Sequence, residues 1–140
     1  MKKLIFIFIT IALFFLTFSC SNSSREEKFV GRWQLIEYID NLPRVDSELV
    51  AFQKAIEIQK RMILVLNDDK SYSRNLEQQS EFGKWSVSED GVFFITQPNN
   101  GPEMKMPIES VTNDRLTLKI EENIPPTTKV ITKLTFAKLN

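Results

Sequence analysis

From Leu4 to Phe18 the chain is an almost unbroken apolar run. Beyond Phe29 apolar and polar residues alternate instead, in short stretches closed by turn residues. The apolar run is too short to span a bilayer, which takes about 20 apolar residues. It follows the basic Met1-Lys2-Lys3 and therefore reads as an export signal over residues 1–19. Alternation at period two marks half-buried strands. Gly31 to Ile39 is a first strand with Trp33 and Leu35 on one face, broken by Asn41-Leu42-Pro43. Met62 to Leu66 and Ser71 to Leu76 form a hairpin around Asn67-Asp68-Asp69-Lys70. Phe82 to Val87 and Val92 to Thr96 form another around Asp90-Gly91, a strong hairpin signal. Met104 to Ile108 alternates, although Pro107 cannot donate to a ladder and points to an edge or a bulge. Arg115 to Ile120 alternates most cleanly, with Leu116, Leu118 and Ile120 expected inside and Thr117 and Lys119 outside. Ile124-Pro125-Pro126 is read as a loop, and Lys129 to Leu139 is the last strand.

One segment breaks this rhythm. From Val45 to about Lys60 the apolar residues Leu49, Phe52 and Ile56 recur at i, i+3 and i+7, the spacing of one helix face. Asp46 is read as the cap, with Val45 and Val50 at hydrophobic-staple spacing. Acids come early (Asp46, Glu48) and bases late (Lys54, Lys60, Arg61), as the helix dipole prefers. The expected fold is all-β, with eight antiparallel strands and one helix between the first and second. Eight is the number that closes a small up-and-down barrel. The runner-up is an α+β cystatin-like sheet wrapped on the helix, which leaves too many strands over.

Composition narrows the chemistry. The 140 residues carry 18 bases and 18 acids. The signal holds two of the bases and no acid, so the remainder has 16 bases against 18 acids. That balance argues against a nucleic-acid partner and against binding anionic lipid through a basic patch. The chain has no histidine, which excludes a Ser-His-Asp triad, an imidazole acid/base and a His-ligated zinc site. Its one cysteine, Cys20, rules out an intrachain disulfide and a thiolate cluster.

Cys20 also closes the apolar run, and Leu16-Thr17-Phe18-Ser19-Cys20 resembles the lipobox of bacterial lipoproteins. The resemblance implies cleavage before Cys20 and its acylation with several chains of the palmitate kind. It implies a partner as well, the membrane itself, held through that lipid anchor. Ser21 is not the aspartate that marks inner-membrane retention in some proteobacteria, so the expected location is the outer membrane, on its periplasmic or surface face. Residues 20–28, polar and without periodicity, read as lipidated cysteine plus flexible tether, and 29–140 as the domain.

Within that domain, Gly31-Arg32-Trp33 opens the first strand. A dense apolar strand then runs through an Asp-rich turn into Tyr72, a second Gly-x-Trp follows at Gly83-Lys84-Trp85, and Asp114-Arg115-Leu116-Thr117-Leu118 introduces the terminal pair. This order resembles the lipocalin-like lipoproteins of Bacteroidetes, within the calycin group, over nearly all of Phe29 to Asn140. The resemblance implies that Trp33 closes one end of the barrel beneath a basic side chain of the last strand, a role open to Lys138. The envelope-stress lipoproteins with a calycin-like domain carry a Cys-x-x-Cys that is lacking here.

Candidate ligand contacts follow from strand phase. Trp33, Leu35 and Trp85 either line a cavity or fill the core. Met104 and Met106 are either an adaptable wall or flexible filler. Glu37 and Arg74 share strand faces with Trp33 and Tyr72. Each is either exposed at a bulge or strand end, paired with the other inside, or in contact with a polar ligand head, since a buried charge needs a partner. The Asp68-Asp69 pair has too few oxygens for a hard cation and reads as a turn. The expected function is a non-enzymatic module that binds a small apolar or amphipathic ligand, without cofactor. The alternative is a filled barrel acting through its surface, as an inhibitor or accessory subunit whose protein partner the sequence does not name. Carboxylate-only glycosidase chemistry remains formally open.

Overall fold

The alternating stretches pair into one continuous antiparallel ladder. In the computed structural model, which describes residues 23–125 and 128–140, the strands are β1 (Gly31–Asp40), β2 (Ile63–Leu66), β3 (Ser71–Leu76), β4 (Gln79–Val87), β5 (Phe93–Pro98), β6 (Met104–Val111), β7 (Arg115–Ile124) and β8 (Thr128–Leu139). Each pairs with the next, and β1 pairs with β8 from Arg32 opposite Leu139 to Asp40 opposite Thr132, so the barrel is closed. Closure leaves no free sheet edge. A single helical turn, α1 (Ser23–Glu26), precedes the barrel, and the longer α2 (Asp46–Gln59) stands between β1 and β2.

The two ends of the barrel differ because different residues collect there. At one end Phe29, Trp33, Trp85 and Phe94 are almost completely buried. Phe29 stacks on Phe94 with ring centres 5.8 Å apart, and Trp85 packs 6.1 Å from both. Both indole N–H groups are satisfied by backbone carbonyls, Trp33 donating to Phe29 at 2.6 Å and Trp85 to Asn67 at 3.0 Å. Each ring also lies beneath an ammonium: Lys138 Nζ is 5.1 Å from the Trp33 ring centre and Lys70 Nζ is 4.4 Å from that of Trp85. Lys138 thus occupies the place that the resemblance assigns to a basic residue. The glycine of each Gly-x-Trp makes room for a neighbour. A Cβ on Gly31 would meet Lys138 at 2.4 Å, and one on Gly83 would lie 2.1 Å from the Gln97 carbonyl and 2.7 Å from the Tyr72 ring.

Several local expectations are corrected. Helix α2 is capped at Val45, whose backbone is extended (φ −83°, ψ 157°), and Asp46 is already the first helical residue. The Glu48 carboxylate reaches back to the Val45 N–H at 3.4 Å. Val45 and Val50 are 62% and 73% exposed, so no staple forms between them. Strand β4 starts at Gln79, because Glu77 adopts a positive φ of 53° and closes a two-residue turn with Gln78. Strand β7 runs on through Ile124, opposite Thr128, where a loop was expected. The β6 ladder shifts register between Ile108 and Ser110, just after Pro107, which takes the bulge reading of that proline.

In β7, Leu116 and Leu118 are buried and Ile120 is half-buried, but Thr117 is buried as well. Thr117 belongs to an outer row that runs from Ser110 through Thr135 to Glu37. There it lies directly between Ser110 and Thr135, the latter buried as well. Leu118→Ala is expected to cost about 2–5 kcal/mol in urea unfolding, through the buried volume it deletes. Lys119→Ala should stay within about 0.5 kcal/mol, because its ion pair with Glu109 at 3.2 Å is exposed. Equal losses at the two positions would refute the packing of β7.

Candidate functional site

The end opposite the tryptophans is open. It gathers the β1–α2 connection, the Glu77-Gln78 turn, the loop between β5 and β6, and the β7–β8 hairpin. Above it lies α2, of which no residue is fully buried. The helix covers the mouth without filling it, and between the two is a cup of about 870 Å³. Phe52, Ala55, Ile56 and Gln59 form its roof, while Leu35, Met62, Leu76, Ile120 and Leu134 supply apolar wall.

A β-bulge brings in the next wall residue. The β1–β8 register shifts between Leu35 and Glu37, so Ile36 is an extra residue and the inward phase passes to Tyr38. Tyr38 lines the cup and meets Phe52 edge-on, with ring centres 6.1 Å apart. The entry of α2 is fixed at the same corner. Asp40 accepts from Arg44 Nη1 at 2.7 Å and from the Leu42 N–H at 3.1 Å, and the Arg44 guanidinium lies 3.3 Å from the centre of the Phe52 ring. Pairing with Arg44 holds the Asp40 carboxyl below its ordinary range.

Below the cup the barrel is nearly solid. A void of about 60 Å³ remains among Tyr72, Phe94, Met104, Met106 and Leu118. Cup and void share Met62, Arg74, Glu81, Ile120 and Leu134. At that junction sits a hydrogen-bonded polar cluster. Tyr72 Oη donates to one Glu81 oxygen at 2.7 Å and Arg74 Nη2 to the other at 2.9 Å. Arg74 and Glu81 face each other directly across β3 and β4, and Tyr72 lies over Gly83. Burial, and then the hydrogen bond to Glu81, push the Tyr72 phenol well above its usual range, so it remains a donor at any ordinary pH.

The structure therefore divides the residues singled out from the sequence. Leu35 and Arg74 line the cup, and Tyr72, Arg74, Met104 and Met106 line the void. Trp33 and Trp85 belong to the closed end, among Phe29 and Phe94, and line neither space. Glu37 is turned to the outer face by the bulge, where its carboxylate accepts from Thr135 Oγ1 at 3.1 Å. It does not pair with Arg74, whose partner is Glu81. Asp69 accepts from the backbone and hydroxyl of Ser71, as a turn residue does, and no group of three metal-ligating side chains occurs among the described residues. Cys20 lies outside the described residues. Tyr38 and Glu81 escaped the sequence reading as site residues, and Phe52 and Ile56 were read only as one face of the helix. Glu81 comes to light only once the turn is placed at Glu77-Gln78, which sets it opposite Arg74.

No protein-family model and no curated protein matches the sequence. Among solved structures, a DUF4847 family protein from Bacteroides vulgatus is similar over 83% of this chain and 99% of its own, at 13% identity and a TM-score of 0.56. A bovine odorant-binding protein, solved with a selenium-containing odorant, is similar over 86% of this chain and 74% of its own, at 16% identity and a TM-score of 0.49. At such identities the likeness is one of fold. The closed eight-strand antiparallel ladder with a helix between its first two strands is a lipocalin-like barrel fold.

Proposed function

We propose that the protein is a non-enzymatic binding module that holds a small apolar or amphipathic molecule in the cup beneath α2. We further propose that it does so from the cell envelope, anchored through lipidated Cys20, with the outer membrane as the expected site. One observation carries the binding reading: a cup of about 870 Å³, with apolar side chains on roof and wall and Arg74, Gln79, Ser80, Glu81, Glu122 and Thr132 among them, lies over a barrel floor that is otherwise filled. Small-molecule sites range over about 300–1,000 Å³ and combine apolar walls with a few placed polar groups. The deep void, at about 60 Å³, is far below that range. The filled-barrel alternative thus describes the floor but not the mouth.

The test is binding of N-phenyl-1-naphthylamine, a neutral apolar probe, read by its own fluorescence. Tryptophan quenching is unsuited, because Trp33 and Trp85 sit at the far end. The parent is expected to bind at micromolar concentration, near −8 kcal/mol. Ala55→Trp, which puts an indole into the roof of the cup from an exposed helix position, should weaken the probe about tenfold or more, a loss of about 1.4 kcal/mol, with an unchanged unfolding midpoint. Failure of the parent to bind, or full binding by the variant, would remove the cup from consideration and leave a surface-interaction role.

A further inference from the structure

We infer that the cup selects amphipaths whose polar head is a hydroxyl or an amine, and that Glu81 is the residue that turns carboxylates away. This deepens the binding reading above and rests on it. The observation is the arrangement of Tyr72, Arg74 and Glu81 where the cup meets the deep void.

A phenol and a guanidinium converging on one point make a cradle for a carboxylate, because charge-assisted donors at separate angles match its two oxygens. Here the chain itself supplies that carboxylate. Each Glu81 oxygen takes one of the two donors, at 2.7 Å and 2.9 Å. The place a ligand's acid group would occupy is filled by a side chain on the neighbouring strand, held there by direct cross-strand pairing of Arg74 with Glu81. Gly83 contributes by lacking a side chain where the Tyr72 ring must lie.

Charge around the cup acts in the same direction. Arg74 is the one cation on its wall, whereas Glu81 and Glu122 are both there. An entering carboxylate would have to displace Glu81 from its donors and then share the space with two like charges, and such juxtapositions cost affinity. A hydroxyl or ammonium head meets no such obstacle. Glu81 spends only part of its acceptor capacity on Tyr72 and Arg74, and an ionised carboxylate accepts about four hydrogen bonds. The remaining lone pairs can take an N–H or O–H from the ligand while its apolar body rests against Ile56, Ile120 and Leu134. The Tyr72 hydroxyl stays protonated, so Glu81 keeps that partner at ordinary pH.

The experiment is displacement of the neutral probe at neutral pH by three ligands of equal chain length: 1-decanol, decylamine and decanoate. Decanol and decylamine are expected to displace it at concentrations about tenfold or more below that needed for decanoate, and Glu81→Gln is expected to bring decanoate to within about twofold of decanol by releasing Arg74. Circular dichroism of the variant verifies the barrel. The ranking in the parent stands on its own if the variant does not fold. Equal potency of the three ligands in the parent, or preference for decanoate, overturns the inference while the cup remains a ligand site. A gap that persists in folded Glu81→Gln removes Glu81 as its cause. If neither the probe nor any of the three ligands binds, the cup reading falls and this inference with it.

Discussion

Trp33→Ala is expected to destabilise the barrel by about 3–5 kcal/mol, the cost of deleting a large buried aromatic side chain. Three losses combine at this position. The indole is fully buried between β2 and β8, opposite Leu64 and Lys138, and its removal leaves a cavity that the closed ladder cannot collapse. The Phe29 carbonyl loses the donor that now reaches it at 2.6 Å. Lys138, whose stem crosses Gly31 to reach the ring, loses the surface it rests on. For a domain of about 110 residues each kcal/mol is worth about 4 °C, so the midpoint of thermal unfolding should fall by about 12–20 °C. Trp33→Phe keeps much of the packing but not the N–H, and should fall between parent and alanine variant. Ile39→Ala, at a half-exposed outer position of the same strand, serves as the control and should move the midpoint little. A Trp33→Ala variant within 1 kcal/mol of the parent, on the scale of such losses, would contradict the closed end as described.

The second large effect concerns location. Under the proposed anchoring, Cys20→Ala is expected to abolish lipidation, leaving unprocessed precursor or soluble protein in place of a parent expected to sediment with membranes. Each buried methylene of an acyl chain contributes about 0.8 kcal/mol, so several chains hold a protein far more firmly than any contact of the barrel surface. Membrane fractionation, combined with metabolic incorporation of a palmitate analogue, reads both steps. A variant that partitions as fully as the parent and carries no label would show that another element holds the protein to the membrane.

Much of the architecture was legible because two independent signals agreed. Alternation at period two located each strand, and Asp-Gly or Asn-Asp turns separated them, so neither hairpin around Asn67 or Asp90 required knowledge of its neighbours. What escaped depends on pairing. The bulge at Ile36 has no hydrophobic signature, because Ile36 itself is apolar yet lies on the outside. Without it, strict alternation places Glu37 inward and Tyr38 outward, the reverse of the structure. The left-handed Glu77 gave no warning of a turn, since no glycine or asparagine marks it. That concealed the start of β4 and with it Glu81. Helix α2 was visible from Leu49, Phe52 and Ile56, but only the last two reach the cup. How far a helix stands from a barrel mouth is set by the loops at its ends, here by Asp40 and Arg44, and not by its own periodicity.

Residues 20–28 were read as tether; within them 23–26 form α1 and Glu26 pairs with Lys70 at 2.6 Å, and Phe29, the first residue of the domain as read, is buried among the tryptophans. The chain therefore leaves the barrel at its closed end. Cys20 is three residues from Ser23, at most about 11 Å of extended backbone. Under the proposed anchoring, the tryptophan floor rests against the bilayer and the cup opens on the aqueous side. A cup so placed would not draw its cargo straight from the leaflet beneath it. On that reading it would load and unload through the compartment it faces, by exchange with dissolved molecules or with whatever other protein comes to its rim.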